Sequence, residues 1–206
     1  MFPGSRQIIA EGFRKQGIPD AWIPMILQSL AQGTIDQYGS TYRLWWDFCT
    51  EKGISMFNSG AKEILQVLQS RLECSQSTYS SFNAHRSAIA LISTTNASKD
   101  PTIRRFMKGV YRLRPGKRRY RSTWNPTKVL EHLEKLGPNQ NLSLLLLTKK
   151  LVTLLALISA QRLQTLSQIR VDHIVVDGEK IQIFITDHLK TSGVHRAQPC
   201  IHIPFF

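Results

Sequence analysis

Arg162 carries the most demanding chemistry in this chain. It follows a run, Leu142, Leu144 to Leu147, Leu151, Val152 and Leu154 to Ile158, that reads as a helix apolar on nearly every face, interrupted mainly by Lys149 and Lys150. Such a helix is expected inside a core. A guanidinium keeps its charge, and its planar fork of donors suits a phosphate or a carboxylate. No acid lies between Glu134 and Asp172 to serve it locally. Capping of the helix C-terminus, or a distant carboxylate, are the plainer alternatives. A second cation, Lys190, lies in His188 to Gly193, a stretch with the composition of a hairpin tip.

A second chemical signal is a block of charge. Arg104, Arg105, Lys108, Arg112, Arg114, Lys117, Arg118, Arg119 and Arg121 fall within eighteen residues that contain no acid. These nine of the chain's 27 Lys and Arg account for about two thirds of its net charge of +13. Such a patch suits a polyanion, most often nucleic acid. A nuclear-localisation signal or a solvated charge run are the alternatives, and either can coexist with DNA contact.

With 206 residues the chain can bury one good core or two small ones. Cys49, Cys74 and Cys200 are far apart without metal-ligand spacing, so isolated buried thiols in a reduced, intracellular compartment are expected. No metal or other cofactor, and no small-molecule substrate, is implied. Met1 to Ala10 has no apolar segment of the signal-peptide kind. The one membrane-length run, Leu142 to Ala160, carries two lysines near its middle. Each costs about 2.5–3.5 kcal/mol on insertion scales, which argues against a membrane role.

The elements that must position these residues are mostly helices. Gly17 to Asp20 open a short helix with Trp22, Ile23, Ile26, Leu27 and Leu30, and Gly33 is expected to stop it. Thr34 with Gln37 reads as a capping box for the next helix, whose Tyr38, Tyr42, Trp45 and Cys49 recur on one buried face. Ser59 is expected to open a helix through Leu72, and Thr78 another through Ile92 with Asn83, His85 and Arg86 on its polar side. Asp100 and Pro101 cap a helix with Ile103, Phe106, Met107 and Val110 inside and cations outside. Pro115 and Gly116 among charges mark a linker. Asn125 and Pro126 cap the first helix of a second unit, which Gly137 and Pro138 end. After Arg170 the period changes to that of strands: Ile174 to Val176, a turn at Asp177 and Gly178, then Ile181, Ile183 and Ile185, and a returning strand from Ile201 to Phe205.

This order resembles the tyrosine recombinase (phage-integrase) family, most closely the recombinases of DIRS-type eukaryotic retrotransposons. The residues that carry it are Thr34 to Cys49 (TIDQYGSTYRLWWDFC), Leu157 to Ile174 (LISAQRLQTLSQIRVDHI) and Leu189 to Gly193 (LKTSG). The resemblance implies a mainly α chain. A SAM-like helical bundle, the core-binding domain, would span residues 1–113, a basic linker 114–123, and the first part of an α+β integrase-like catalytic domain with a small β-sheet 124–206. It makes Arg162 the first catalytic arginine, which grips the scissile phosphate, and Lys190 the hairpin lysine that assists the leaving hydroxyl. Fixed cations of this kind stabilise a phosphoryl-transfer transition state without a metal. It also implies two domains clamping a DNA duplex, with self-association on DNA and a nuclear location.

Two departures qualify the resemblance. Many members carry an acid three residues after the arginine, where this chain has Thr165. The family's His-x-x-Arg box and nucleophilic tyrosine have no counterpart here, because Tyr38, Tyr42, Tyr79, Tyr111 and Tyr120 all precede Arg162. The expectation is a fragment of a recombinase that binds double-stranded DNA but does not cleave it alone. Its second unit would expose a sheet edge and apolar helix faces, and so be marginally stable. In the N-terminal bundle, Thr78, Asn83, His85 and Arg86 are the candidate DNA contacts, with a solvated helix face as the alternative. A non-catalytic DNA-binding protein and an RNA-binding basic protein are the competing functions.

Overall fold

Ile8, Ile9, Gly12 and Phe13 recur at helical spacing and are buried, which makes Ser5–Lys15 a first helix, α1, that the sequence reading had not singled out. The computed structural model describes residues 1–116, 120, 122 and 124–205. The chain divides into two units, Met1–Arg119 and Tyr120–Phe206.

Among the described residues the elements of the first unit are all helices. After α1 come α2 (Ile23–Gln28), α3 (Gln32–Lys52), α4 (Ala61–Cys74), α5 (Tyr79–Ile92) and α6 (Pro101–Leu113). Gly12 marks the closest crossing: a β-carbon there would lie 2.8 Å from Ile92 Cα and Cβ, so α1 meets α5 only because the side chain is missing. Tyr42 and Trp45 lie at the centre with no exposed surface. Their polar atoms are satisfied, the Tyr42 hydroxyl donating to Ala88 O at 3.1 Å and Trp45 Nε1 to Met56 O at 2.9 Å. Burial also raises the Tyr42 hydroxyl far above the ordinary phenol pKa.

Two helix starts differ from expectation. α3 begins at Gln32, with Ala31 rather than Thr34 at its N-cap. The Ala31 carbonyl accepts from Thr34 N at 2.8 Å and Ile35 N at 3.2 Å, so the backbone closes the first turn and Gly33 lies inside the helix instead of stopping it. α4 begins at Ala61, where Glu63 Oε2 accepts from Gly60 N at 2.9 Å. Ser59 turns inward and donates to Ser55 O at 2.6 Å. Thr78, Asp100 and Asn125 do occupy N-cap positions.

Of the three cysteines only Cys49 is buried; Cys74 is exposed and Cys200 intermediate, which corrects the expectation of three buried thiols. Cys74 lies exposed on the last turn of α4. Burial pushes the Cys49 thiol up to about 12. Since the thiolate is the reactive form, a maleimide added to the native chain should label Cys74 first and Cys49 only after denaturation. Peptide mass mapping checks this, and early labelling of Cys49 would contradict the packing described.

The second unit contains α7 (Pro126–Lys135), α8 (Leu144–Ser159), α9 (Leu163–Ser167) and a sheet of β1 (Ile174–Val176), β2 (Lys180–Phe184) and β3 (Cys200–Pro204). The strands are antiparallel in the order β1-β2-β3. Ile183 pairs with Ile174 on one side and Ile201 on the other, so period-2 alternation brings a row of isoleucines to one face. With Ile185, Leu189 and Leu166 they form a small core. Asp177 Oδ1 closes the β1–β2 turn, accepting from Glu179 N and Lys180 N at 3.0 and 2.9 Å.

The expected burial of α8 is not met: none of its residues is buried. Val152, Leu155 and Ala156 pack against the sheet core, while Leu144 (80% exposed), Leu145, Leu151, Leu154 and Ile158 face outward. A helix has a full circumference to cover, and β3 and α9 cover one side of it. Among the described residues no helix is long and apolar enough to cross a membrane.

Candidate nucleic-acid interface

α6 shows how the sequence builds a cationic surface. Asp100 Oδ1 accepts from Thr102 N at 2.7 Å, and the bonds from Thr102 hold its carboxyl below the usual range. Pro101 fits the first turn because its missing N–H would have no helical partner there. Ile103, Met107 and Val110, at i, i+4 and i+7, are buried. That spacing turns Arg104, Arg105, Lys108 and Arg112 to the opposite side, where all four are exposed. With Gly109 they line a shallow groove of about 550 Å³. A β-carbon at Gly109 would meet nothing within 4 Å. The ion pairs among the described residues involve Arg14, Lys15, Lys52, Arg170 and His173 as cations, so none of the four α6 cations has an acidic partner there.

Arg114 belongs to a different construction. Its guanidinium donates to the carbonyls of Ser75 and Leu72, the latter at 2.7 Å, and its own carbonyl accepts from Tyr79 N at 3.1 Å. It closes the C-terminal end of α4 and fastens α5 to the end of α6. Expected among the DNA contacts, it is engaged inside the fold, because the last carbonyls of α4 have no helical partners of their own. Replacing Arg114 by Gln should lower the stability of the full chain by about 2–3 kcal/mol, the range for hydrogen bonds to a charged donor. Urea denaturation measures this, and a midpoint equal to wild type would refute it. Lys117, Arg118, Arg119 and Arg121, the remaining cations of the linker, lie outside the described residues.

On α5 the four expected contacts are half-buried. Thr78 Oγ1 lies 2.9 Å from Ser80 Oγ. Arg86 donates to Asn83 Oδ1 at 2.9 Å. His85 Nδ1 lies 2.8 Å from Thr41 Oγ1, and burial, then the charge of Arg71, keeps its imidazole below the usual range.

In the second unit, Arg162 is exposed at the N-cap of α9, its carbonyl accepting from Thr165 N at 2.8 Å and Leu166 N at 3.2 Å. The preceding residue but one, Ala160, is in the left-handed region at φ 49°. Thr165 is buried, 5% exposed. Lys190 is exposed in the connection between β2 and β3, and its backbone N–H donates to Gln164 Oε1 at 3.4 Å. Leu189 anchors that connection by its burial, and Ser192 Oγ accepts from Leu189 N at 2.8 Å. Through Gln164, two residues after Arg162, the turn bearing Lys190 meets α9. Arg162 has no hydrogen-bonded or ion-paired acid among the described residues.

No family model matches the chain, and no curated protein matches it. The functional reading therefore rests on the residues themselves. Two features were not legible beforehand: Arg114 as a helix clamp, and Arg71, whose Nε is buried without a hydrogen-bond partner. Among the described residues no three His, Cys, Asp or Glu side chains are grouped to hold a metal ion.

Proposed function

We propose that the chain binds double-stranded DNA, as the core-binding and early catalytic part of a tyrosine-recombinase-like protein acting in DNA recombination or integration in the nucleus. The observation that carries the DNA reading is the outward face of α6, four cations without acidic partners among the described residues. Exposed unpaired cations on one face of a helix hold counter-ions weakly and exchange them for phosphates, releasing salt. A face that served only solubility would mix both signs. The linker cations expected at 117–121 extend the same block along the chain.

The recombinase part of the reading draws on Arg162 and Lys190. Both are exposed on elements joined through Gln164, where a scissile phosphate could meet a bidentate guanidinium and an ammonium. In that role Arg162 stabilises charge on the non-bridging oxygens and Lys190 protonates the leaving hydroxyl. No phosphotyrosine step is assigned to these 206 residues, whose five tyrosines all precede Arg162.

The test is the salt dependence of duplex binding by the full chain. If about six cations meet phosphates, log affinity falls against log salt with a slope of about −5. A slope near zero would sink the DNA reading. Structured RNA as competitor separates the duplex from a general polyanion: displacement by RNA at equal nucleotide concentration favours an RNA-binding function instead.

A further inference from the structure

The first unit contains a second polar recess, apart from the α6 face. It has a volume of about 240 Å³ and lies where the end of α4 and the start of α5 meet α3. Arg71, Ser40, Thr41, Ser77, Ser81 and His85 line it, with no acid among the lining residues. The lining thus presents one permanent cation, four hydroxyls and an imidazole, beside the Gln37 carboxamide and Ala84.

Arg71 has no structural employment that would explain its place. Ser75 satisfies the Arg71 carbonyl through both its hydroxyl and its N–H, at 2.8 and 3.1 Å. Arg114 takes the carbonyls of Leu72 and Ser75. The carbonyls at the end of α4 are therefore served without the Arg71 guanidinium, which forms no ion pair among the described residues and leaves its Nε buried and unpartnered. A buried donor without an acceptor is costly, and a charged one more so. A group with several acceptor oxygens and negative charge in the recess would offset the charge of the guanidinium, and the hydroxyls around Arg71 can donate to the same oxygens.

The segment that carries Ser77 and Ser81 touches the cationic helix through Tyr79. Tyr79 N donates to Arg114 O, and the Tyr79 and Tyr111 rings meet edge to face at 5.3 Å. These contacts join the start of α5, which supplies Ser81 and is preceded by Ser77, to the last turn of α6, which presents Arg112.

We infer that this recess seats a single phosphate group of the DNA backbone, held by the Arg71 fork and the hydroxyls of Ser40, Ser77 and Ser81. The inference rests on the duplex-binding reading, and names a contact to DNA outside the α6 face and the linker. His85 reports occupancy. Arg71 is the charged residue that faces it in the recess, and an anion there would offset that charge and raise the imidazole pKa.

The experiment compares the full chain with Arg71→Gln and Arg71→Lys in duplex binding at several salt concentrations, and follows the His85 imidazole signal by NMR during titration with duplex and, separately, with inorganic phosphate. Loss of one phosphate contact should reduce the magnitude of the salt slope by about 0.9 and weaken binding about eightfold at 0.1 M salt in Arg71→Gln. Arg71→Lys keeps the charge and should restore most of the slope. The His85 signal should move with duplex in wild type and stay put in Arg71→Gln. An Arg71→Gln protein that melts like wild type and keeps the wild-type slope overturns the inference while leaving the DNA reading standing. A wild type without salt-dependent duplex binding fails the DNA reading, and the backbone phosphate with it. Movement of His85 by inorganic phosphate but not by duplex identifies a free-anion site and likewise overturns the backbone assignment. Should Arg71→Gln not fold, Ser81→Ala and Ser40→Ala carry the test: each is expected to weaken duplex binding about fivefold, and unchanged affinity in both overturns the inference.

Discussion

Replacing Arg104, Arg105, Lys108 and Arg112 together by glutamine should weaken duplex binding by about three to four orders of magnitude at 0.1 M salt. Each lost phosphate contact removes about 0.9 from the salt slope, and at that concentration each such unit is worth close to one decade. The fold should not suffer. All four side chains are exposed, and none takes part in a side-chain hydrogen bond or ion pair among the described residues. Glutamine keeps the aliphatic stem and has nearly the same helix propensity as the residues it replaces. Fluorescence anisotropy with a labelled duplex, run beside a thermal melt, distinguishes the two effects. An unchanged slope with an unchanged melt would remove α6 from the interface and with it the main support for a nucleic-acid partner. This variant also contrasts with Arg114→Gln, whose expected loss is in stability, because a cation already bonded to two carbonyls has little to offer a phosphate.

Trp45→Ala should destabilise the first unit by about 3–5 kcal/mol. The indole has no exposed surface and stacks on Phe48 with centroids 5.5 Å apart and planes 15° from parallel. Its Nε1–H also serves the Met56 carbonyl. Truncation therefore creates a cavity and leaves an acceptor without its donor. Small domains are stable by only about 5–15 kcal/mol, so the variant should populate unfolded chain at modest urea concentrations. Trp45→Phe, which retains most of the volume but not the donor, should fall between the two. Urea denaturation followed by far-UV circular dichroism gives both values. A Trp45→Ala protein within 1 kcal/mol of wild type would mean that this packing does not carry the unit's stability.

What could be read in advance depended on whether the determining contact was local. Asp100 and Pro101 announce α6 because cap and helix are adjacent, and Ile103, Met107 and Val110 fix its inner face by spacing alone. The isoleucines of β2 and β3 give a strand for the same reason. Arg114 could not be separated from its cationic neighbours, because Leu72 and Ser75, its partners, lie about forty residues earlier. Arg71 was not singled out in the sequence, because only the approach of α3 and α5 turns it into the wall of a recess. The burial of α8 was misjudged for a related reason: apolar composition records what a helix would hide, not how much neighbouring structure there is to hide it. Thr34 failed as a cap because a rival turn, capped three residues earlier at Ala31, was closed by main-chain bonds.

Ala160 bears on the path by which the chain reaches Arg162. A left-handed alanine is disfavoured by about 1–2 kcal/mol relative to the right-handed form, and at φ 49° it forms the joint between α8 and the segment leading to Arg162. Glycine would relieve that cost and also loosen the joint, since it moves freely through both halves of φ space. The methyl group thus makes a stiff elbow: the angle at which the chain leaves the leucine-rich helix is limited to a narrow arc, and the main chain of Arg162, two residues on, starts from that direction.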